Sequence, residues 1–371
     1  MRCKPGEGPL AAERSEKAKE MMSESMFASE RDHHPSGLYS LTRLLLRAGF
    51  AIALAGGAMA ATAPAHAARL LLGASLTGGL DDRSQIAEFE ALTGRHLDIV
   101  SVPMPWAGTA PNLIDFDCCV LPWAKDVSSR GALPMVSWEP IRYEGGGSTA
   151  APGACPRDLA TAPESAPAIA FLHRYGREVA AFGKTVLIRP MHEMNISGWT
   201  WSLGHNPFCG DVSAADYISA WRRMVSIFRA EGASNAKFVW CVSWASMGDS
   251  AGTPVTLTYP GDAYVDYAAI DGYNFGGRDW RSFDDIFRTP YAEIVSRTSR
   301  PILIAEWASG ETGGSKAAWI RAAFASIKAN HYPQIAGLLW FNVPVAGQPR
   351  WMVDSSPAAA RAYRAAVRNL P

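Results

Sequence analysis

The chain is 371 residues long, 48% hydrophobic and 19% charged, with 35 Lys and Arg against 35 Asp and Glu. That apolar content excludes a disordered or fibrous chain, and a neutral balance without basic runs offers no cationic face to nucleic acid. All 13 Trp lie from Trp106 onward, a heavy load for a core and a first sign of a cleft that binds flat rings.

In chain order, the first 67 residues read as an address rather than as part of the fold. Residues 1–40 are polar, Arg43 and Arg47 flank a leucine triplet, Ala48–Ala63 is a small-residue apolar run, and Ala65-His-Ala67 is a cleavage pattern. This order predicts a secretory signal peptide removed after Ala67. The run is shorter than the ~20 residues of a membrane anchor, so no stable membrane insertion is expected. Residues 68–371 then form one exported domain, with a monomer as the default because no coiled-coil seam is visible.

Strand 1 is expected over Arg69–Ala74, followed by an amphipathic helix from Ser84 to Leu92 that stops at Gly94. Strand 2, Leu97–Val102, leads into Pro103-Met-Pro-Trp106, and strand 3 is Leu133–Trp138. A helix from Ala166 to Phe182 ends at Gly183, a residue type favoured just past a helix C-terminus. Strand 4 is Thr185–Ile188, and Asp211-Val-Ser213 caps a helix that runs to about Ala230. Strands 5 to 8 fall at Lys237–Val242, Ala268–Asp271, Pro301–Ala305 and Ile335–Trp340, with helices at Ser282–Ser299, Ser315–Asn330 and Pro357–Leu370. Eight short apolar strands alternating with helices predict the α/β class and a single (β/α)8 TIM barrel. The competing fold, an open doubly wound sheet, usually carries a G-x-G-x-x-G loop after strand 1, and Gly73–Gly79 lacks that spacing.

Barrel chemistry collects where strands end. Those ends carry Glu139, Glu193 and Glu306 among Trp106, Trp138, Trp199, Trp201, Trp244 and Trp340. Indole faces stack on the C–H faces of sugars, so most of these six are expected to line a carbohydrate cleft, with two of them in the core. Trp221 and Trp319 lie mid-helix and read as packing residues. Glu193 and Glu306 form the expected catalytic pair, since a retaining glycosidase needs two carboxyls ~5–5.5 Å apart, one acid/base and one nucleophile. His192 is placed to tune or bind, Tyr273 to donate toward Glu306, and Asp271 to hold structure. Glu139 is either a third site carboxylate or structural.

These segments resemble glycoside hydrolase family 26. Arg189-Pro-Met-His-Glu-Met-Asn195 with Trp199-Thr-Trp201 is similar to its acid/base block. Tyr259–Asp266 running into Ile270–Asn274 is similar to its sixth strand, Pro301–Glu306 to its nucleophile strand, and Leu339–Asn342 to its last. The resemblance spans Arg69 to the C-terminus. It implies Glu193 as acid/base, Glu306 as nucleophile, retention of anomeric configuration, and an endo-β-1,4-mannanase, with β-1,3-1,4-glucan, β-1,3-xylan or the host's own exopolysaccharide as other substrates. Two positions depart from the pattern. Trp199 follows Glu193 by six residues rather than five, and strand 5 ends in Ser243-Trp-Ala245 where Pro and Asn are usual in place of the last two.

A zinc protease is excluded because His192-Glu193 is followed at position 196 by Ile, not by a second ligand. No C-x-x-C pair exists, and two carboxylates suffice for glycoside hydrolysis, so no metal or cofactor is expected. Cys155 and Cys209 lie in loops after neighbouring strands 3 and 4 and are expected to form a disulfide at the cleft rim. Cys241 reads as buried, and Cys118 and Cys119 as too close in sequence to bond each other. The remaining alternative is a catalytically inactive carbohydrate-binding barrel.

Overall fold

The computed structural model describes residues 69–368 and 370, apart from 109–112, 145–146 and 246–253; the expected signal peptide lies outside the described residues. In chain order the strands are β1 (Leu71–Leu76), β2 (Ile99–Ala107), β3 (Leu133–Glu144), β4 (Gly147–Ala150), β5 (Val186–Pro190), β6 (Gly204–Asn206), β7 (Gly210–Val212), β8 (Ala236–Ser243), β9 (Tyr267–Asn274), β10 (Ile302–Ser309) and β11 (Ile335–Asn342). The α-helices are α1 (Ser84–Thr93), α2 (Leu121–Ser129), α3 (Pro156–Thr161), α4 (Pro167–Phe182), α5 (Ala214–Ala230), α6 (Phe283–Arg297), α7 (Lys316–Lys328) and α8 (Pro357–Arg368). Strands β1, β2, β3, β5, β8, β9, β10 and β11 pair in parallel in that order, and β11 returns to β1, which closes the expected (β/α)8 barrel. Strand β4 adds to β3 antiparallel, and β6–β7 is a separate hairpin in the loop after β5.

The helix ends follow from local chemistry. Gly94 and Gly183 take left-handed conformations (φ 70° and 72°) just past α1 and α4, where a side chain would be strained. Ser213 with Asp216, and Ser282 with Asp285, form reciprocal capping boxes on α5 and α6. Among the pieces not read from the sequence are α2 with Pro122 in its first turn, strand β4, the short α3, and the β6–β7 hairpin. Several strands also run further toward their C-terminal ends than their apolar runs, β3 to Glu144 and β10 to Ser309.

Successive strand residues point to opposite faces, so each barrel strand sends alternate side chains inward. Ile99, Met135, Leu187, Val239, Cys241, Ala269, Leu303, Ala305 and Leu339 fill the interior. The outward residues meet the helices. Gly272 on β9 is one such position, where an added Cβ would lie 2.6 Å from Ile286 and 2.7 Å from the Phe287 ring of α6. Chain ends close on each other where Arg364 of α8 donates to the Leu92 carbonyl at 2.9 Å. Among the described residues no helix is long and apolar enough to cross a membrane.

Candidate active site

Arg189 organises the C-terminal mouth. It is the inward residue two positions after Leu187 on β5 and is wholly buried. Its guanidinium donates to Asp271 on β9 at 2.6 Å, to the Ser137 hydroxyl on β3 at 2.7 and 3.0 Å, and to Glu306 on β10. Burial works against its charge, yet Asp271 and Glu306 outweigh that and hold it firmly protonated. Asp271, expected to hold structure, is itself wholly buried against Arg189.

Glu306 reaches the site through an irregularity. With Leu303 and Ala305 inward, strict alternation would send Glu306 out to the helices. Strand β10 instead shifts register against β9 between Ile304 and Glu306, so that Glu306 pairs with inward Asp271 and Trp307 with Gly272. Such a bulge adds one residue and re-aims the next side chain. One Glu306 oxygen accepts from Arg189 and the other from the Tyr273 hydroxyl, which fixes the carboxylate in one orientation.

Glu193 lies just past β5 on a turn where Met191 and Glu193 both have positive φ, 47° and 53°. Such conformations cost roughly 1–3 kcal/mol each for residues with a Cβ and persist where neighbours hold them. Here the Glu193 amide donates to the Cys241 carbonyl at 2.9 Å, and Asn195 exchanges two 2.8 Å bonds with the Ser243 backbone. The Glu193 carboxyl accepts from the Trp199 indole at 3.3 Å. Burial, reinforced by the negative charge of Glu306, pushes its pKa up to about 7. Glu139, inward in the middle of β3, is buried as well and is pushed up to about 8 by desolvation, with Arg189 opposing and Glu306 and Glu193 adding to the rise. The structure therefore brings Glu139 into the same cluster, the alternative that the sequence left open.

His192 is buried beside them. Its pKa lies well below normal because of burial and the nearby Arg189 charge, so the imidazole is neutral, and its Nδ1 has no hydrogen-bond partner. His192, Glu193 and Asp271 have ligand atoms within 4.8 Å of one another. A cation there would face the guanidinium already bonded to Asp271, so the donor set is poorly suited to a metal.

The tryptophans divide sharply. Trp199 stacks on Trp201 at 4.9 Å and 9°, and the Trp201 indole donates to the His192 carbonyl at 2.6 Å. Trp199 keeps a sliver of exposure beside Glu193, whereas Trp201 is fully buried as its support. Trp106, Trp138 and Trp340, expected to stack on sugar, have no exposed face and are corrected to core residues. Trp106 and Trp138 pack against Phe171 of α4, and Trp138 also against Tyr175. Trp340 packs on Trp307 and Tyr363. Trp244 is half-buried at the end of β8 under the Arg281 guanidinium, 5.2 Å from its ring. Trp221 and Trp319 are buried packing residues, as expected. Phe208 stands 43% exposed on the tight turn of the β6–β7 hairpin.

The disulfide Cys155–Cys209 is present, with Cα atoms 5.5 Å apart. It ties the start of α3 to the β6–β7 turn, and Asn206 connects that turn to the Trp199 carbonyl at 2.9 Å. Cys241 is buried inside the barrel, as expected.

Fold and site together define a (β/α)8 barrel with two glutamates at the ends of its fourth and seventh barrel strands, β5 and β10. No family model matches the chain. It is 36% identical over 295 residues to Endoglucanase H of Acetivibrio thermocellus, across 78% of this chain and 29% of that protein. Over 93 residues it is 42% identical to mannan endo-1,4-beta-mannosidase A and B of Caldalkalibacillus mannanilyticus, 25% of this chain and 17% of that one. The chain therefore spans less than a third of either curated relative. In fold it is similar to a GH26 beta-mannanase from Bacteroides ovatus, with a TM-score of 0.55, 15% identity, and coverage of 81% of this chain and 89% of that one. The GH26 domain of an endo-beta-mannanase/endo-beta-glucanase from Prevotella bryantii gives 0.54, 18%, 81% and 89%. These comparisons agree with the resemblance to glycoside hydrolase family 26 carried by the motifs.

Proposed function

We propose that residues 68–371 form an exported, monomeric, retaining glycoside hydrolase that cleaves β-linked polysaccharide internally, with β-1,4-mannan as its substrate. One observation carries this reading: Glu306 is held by Arg189 and Tyr273, while burial raises Glu193 to about 7. Two carboxyls in environments this different suit two roles. Glu306 attacks the anomeric carbon as Glu193 protonates the departing glycosidic oxygen. Glu193 then takes a proton from the water that hydrolyses the glycosyl-enzyme. His192, Trp199 and Tyr273 line the sugar subsite next to the bond that breaks. No metal or cofactor enters these steps.

Reducing-end release on galactomannan, glucomannan, mixed-linkage β-glucan and β-1,3-xylan tests the proposal. Glu306→Ala should lower turnover by on the order of 10⁴-fold, and azide should restore it with inverted product. Glu193→Ala should slow polysaccharide far more than an aryl glycoside with a good leaving group. Wild-type rates in either variant would refute the assignment. A second reading, mixed-linkage β-glucan, is favoured by the match to Endoglucanase H across 78% of this chain. Turnover of glucan but not mannan would select it. A folded wild-type protein inert on every substrate would leave the binding-only barrel or an untested exopolysaccharide.

A further inference from the structure

Lys316 opens α7, one residue after the cap Ser315, and is fully buried. Both facts run against ordinary placement. A cation is disfavoured at a helix N-terminus, and burying an ammonium is costly unless its donors are satisfied. Desolvation pulls its pKa from 10.5 down to about 7; Glu311 and Asp354 oppose that fall and Arg350 adds to it.

Four oxygens surround the amine. Nζ donates to the carbonyls of Arg350 at 2.8 Å, Trp351 at 3.2 Å and Met352 at 2.7 Å, and to the Ser355 hydroxyl at 2.9 Å. Ser355 in turn donates to Glu311. The amine also sits 5.5 Å from the Trp340 ring, whose indole donates to the same Trp351 carbonyl at 3.0 Å. All of these acceptors except Glu311 belong to the loop between β11 and α8, which follows the barrel mouth. The Trp351 side chain from that loop is buried against the Tyr273 ring, with centroids 5.2 Å apart. Tyr273 donates to Glu306.

We propose that Lys316 is a positioning residue for the nucleophile: by gathering the carbonyls of Arg350, Trp351 and Met352 it sets Trp351 against Tyr273 and so fixes the Tyr273 hydrogen bond on Glu306. The proposal deepens the glycosidase reading and rests on it. It accounts for a buried lysine whose amine is spent on three backbone carbonyls and a hydroxyl.

The test is Lys316→Met, which keeps the length and removes the three donors, assayed on a dinitrophenyl β-mannobioside or cellobioside that the wild type turns over. Such a leaving group needs no proton from Glu193, so the rate of glycosyl-enzyme formation reports Glu306. We expect kcat to fall about tenfold with KM within about twofold. In a Tyr273→Phe background the same substitution should add little, because both act through one bond. Ser355→Ala removes a single acceptor and should give a smaller loss in the same parameter, which covers the case of a poorly folding Lys316→Met. Hydrogen exchange of residues 349–355 reads the clamp without turnover and should quicken in both variants while β9 and β10 stay protected. A lower melting temperature with wild-type kcat would overturn the proposal, as would additive losses with Tyr273→Phe or unchanged exchange of the loop. Inactivity of the wild type itself counts against the glycosidase reading instead, and the exchange measurement still decides the clamp.

Discussion

In the proposed mechanism the proton that Glu193 delivers has to be present before catalysis begins, and its environment decides the pH at which it is. Burial first, then the charge of Glu306, place its pKa at about 7. kcat/KM on polysaccharide should therefore hold on the acid side of neutrality and fall as pH rises through about 7, as the acid form disappears. The same profile on the dinitrophenyl substrate should lose most of that alkaline fall, because no proton is required for departure. A fall of equal size on both substrates would place the titrating group elsewhere. That Glu193, Glu306, His192 and Tyr273 would gather at one end of the barrel was legible in the sequence because their residue types stand directly at strand ends. Arg189 was legible only as part of a motif; nothing in a one-dimensional pattern says that a β5 arginine joins Ser137, Asp271 and Glu306 across three other strands.

Within a strand, alternation explains both the successes and the errors. Glu139 points inward, so its neighbour Trp138 must point outward to α4, and Leu339 inward puts Trp340 outward. Position at a strand end alone could not distinguish a sugar platform from a core indole, but the parity of the adjacent residue could have. The β10 bulge is different in kind. It breaks the period of two between Ile304 and Glu306, and no property of Ile302-Leu-Ile-Ala-Glu306 announces it. The disulfide was legible because both cysteines fall in loops of adjacent barrel strands. It closes a span of 54 residues, for which chain entropy gives about 4 kcal/mol as an upper guide. Cys155→Ser with Cys209→Ser should lower the melting temperature by several degrees. It should also reduce kcat on polysaccharide several-fold, since the β6–β7 turn it anchors holds Trp199 through Asn206. A thiol titration in denaturant that counts all cysteines of the exported, unreduced protein as reactive would contradict the bridge.

Among the described residues, buried groups tie stability to pH in opposite senses. Glu193 and Glu139 have ordinary values of 4.5 and rise in the fold to about 7 and about 8. The folded state binds their protons more tightly than the unfolded chain does. Their contribution to stability is thus complete below about 4.5 and is lost as pH climbs through 7 to 8. Lys316 runs the other way. Its value drops from 10.5 to about 7, so the unfolded chain holds more protons between those limits and stability recovers as pH rises through that window. These three groups alone would make the melting temperature decline from pH 5 to pH 8 and level off or recover toward pH 10. Below about 6.5 the buried neutral His192, whose value lies well below normal, opposes the decline, so each limb is read as the difference between wild type and a variant. Glu139→Gln should flatten the first limb, because the amide mimics the protonated acid at every pH, and Lys316→Met should flatten the second. Calorimetric melting at pH 5, 7, 8 and 9.5 checks both limbs separately. A Glu139→Gln variant with the wild-type slope between pH 5 and 8 would mean that its carboxyl is ionised in the fold. The cluster of Glu139, Glu193, Glu306 and Asp271 around one arginine would then carry one more negative charge. The raised values of both Glu139 and Glu193 hold that charge down at neutral pH, beside the donors Arg189, Tyr273 and Trp199.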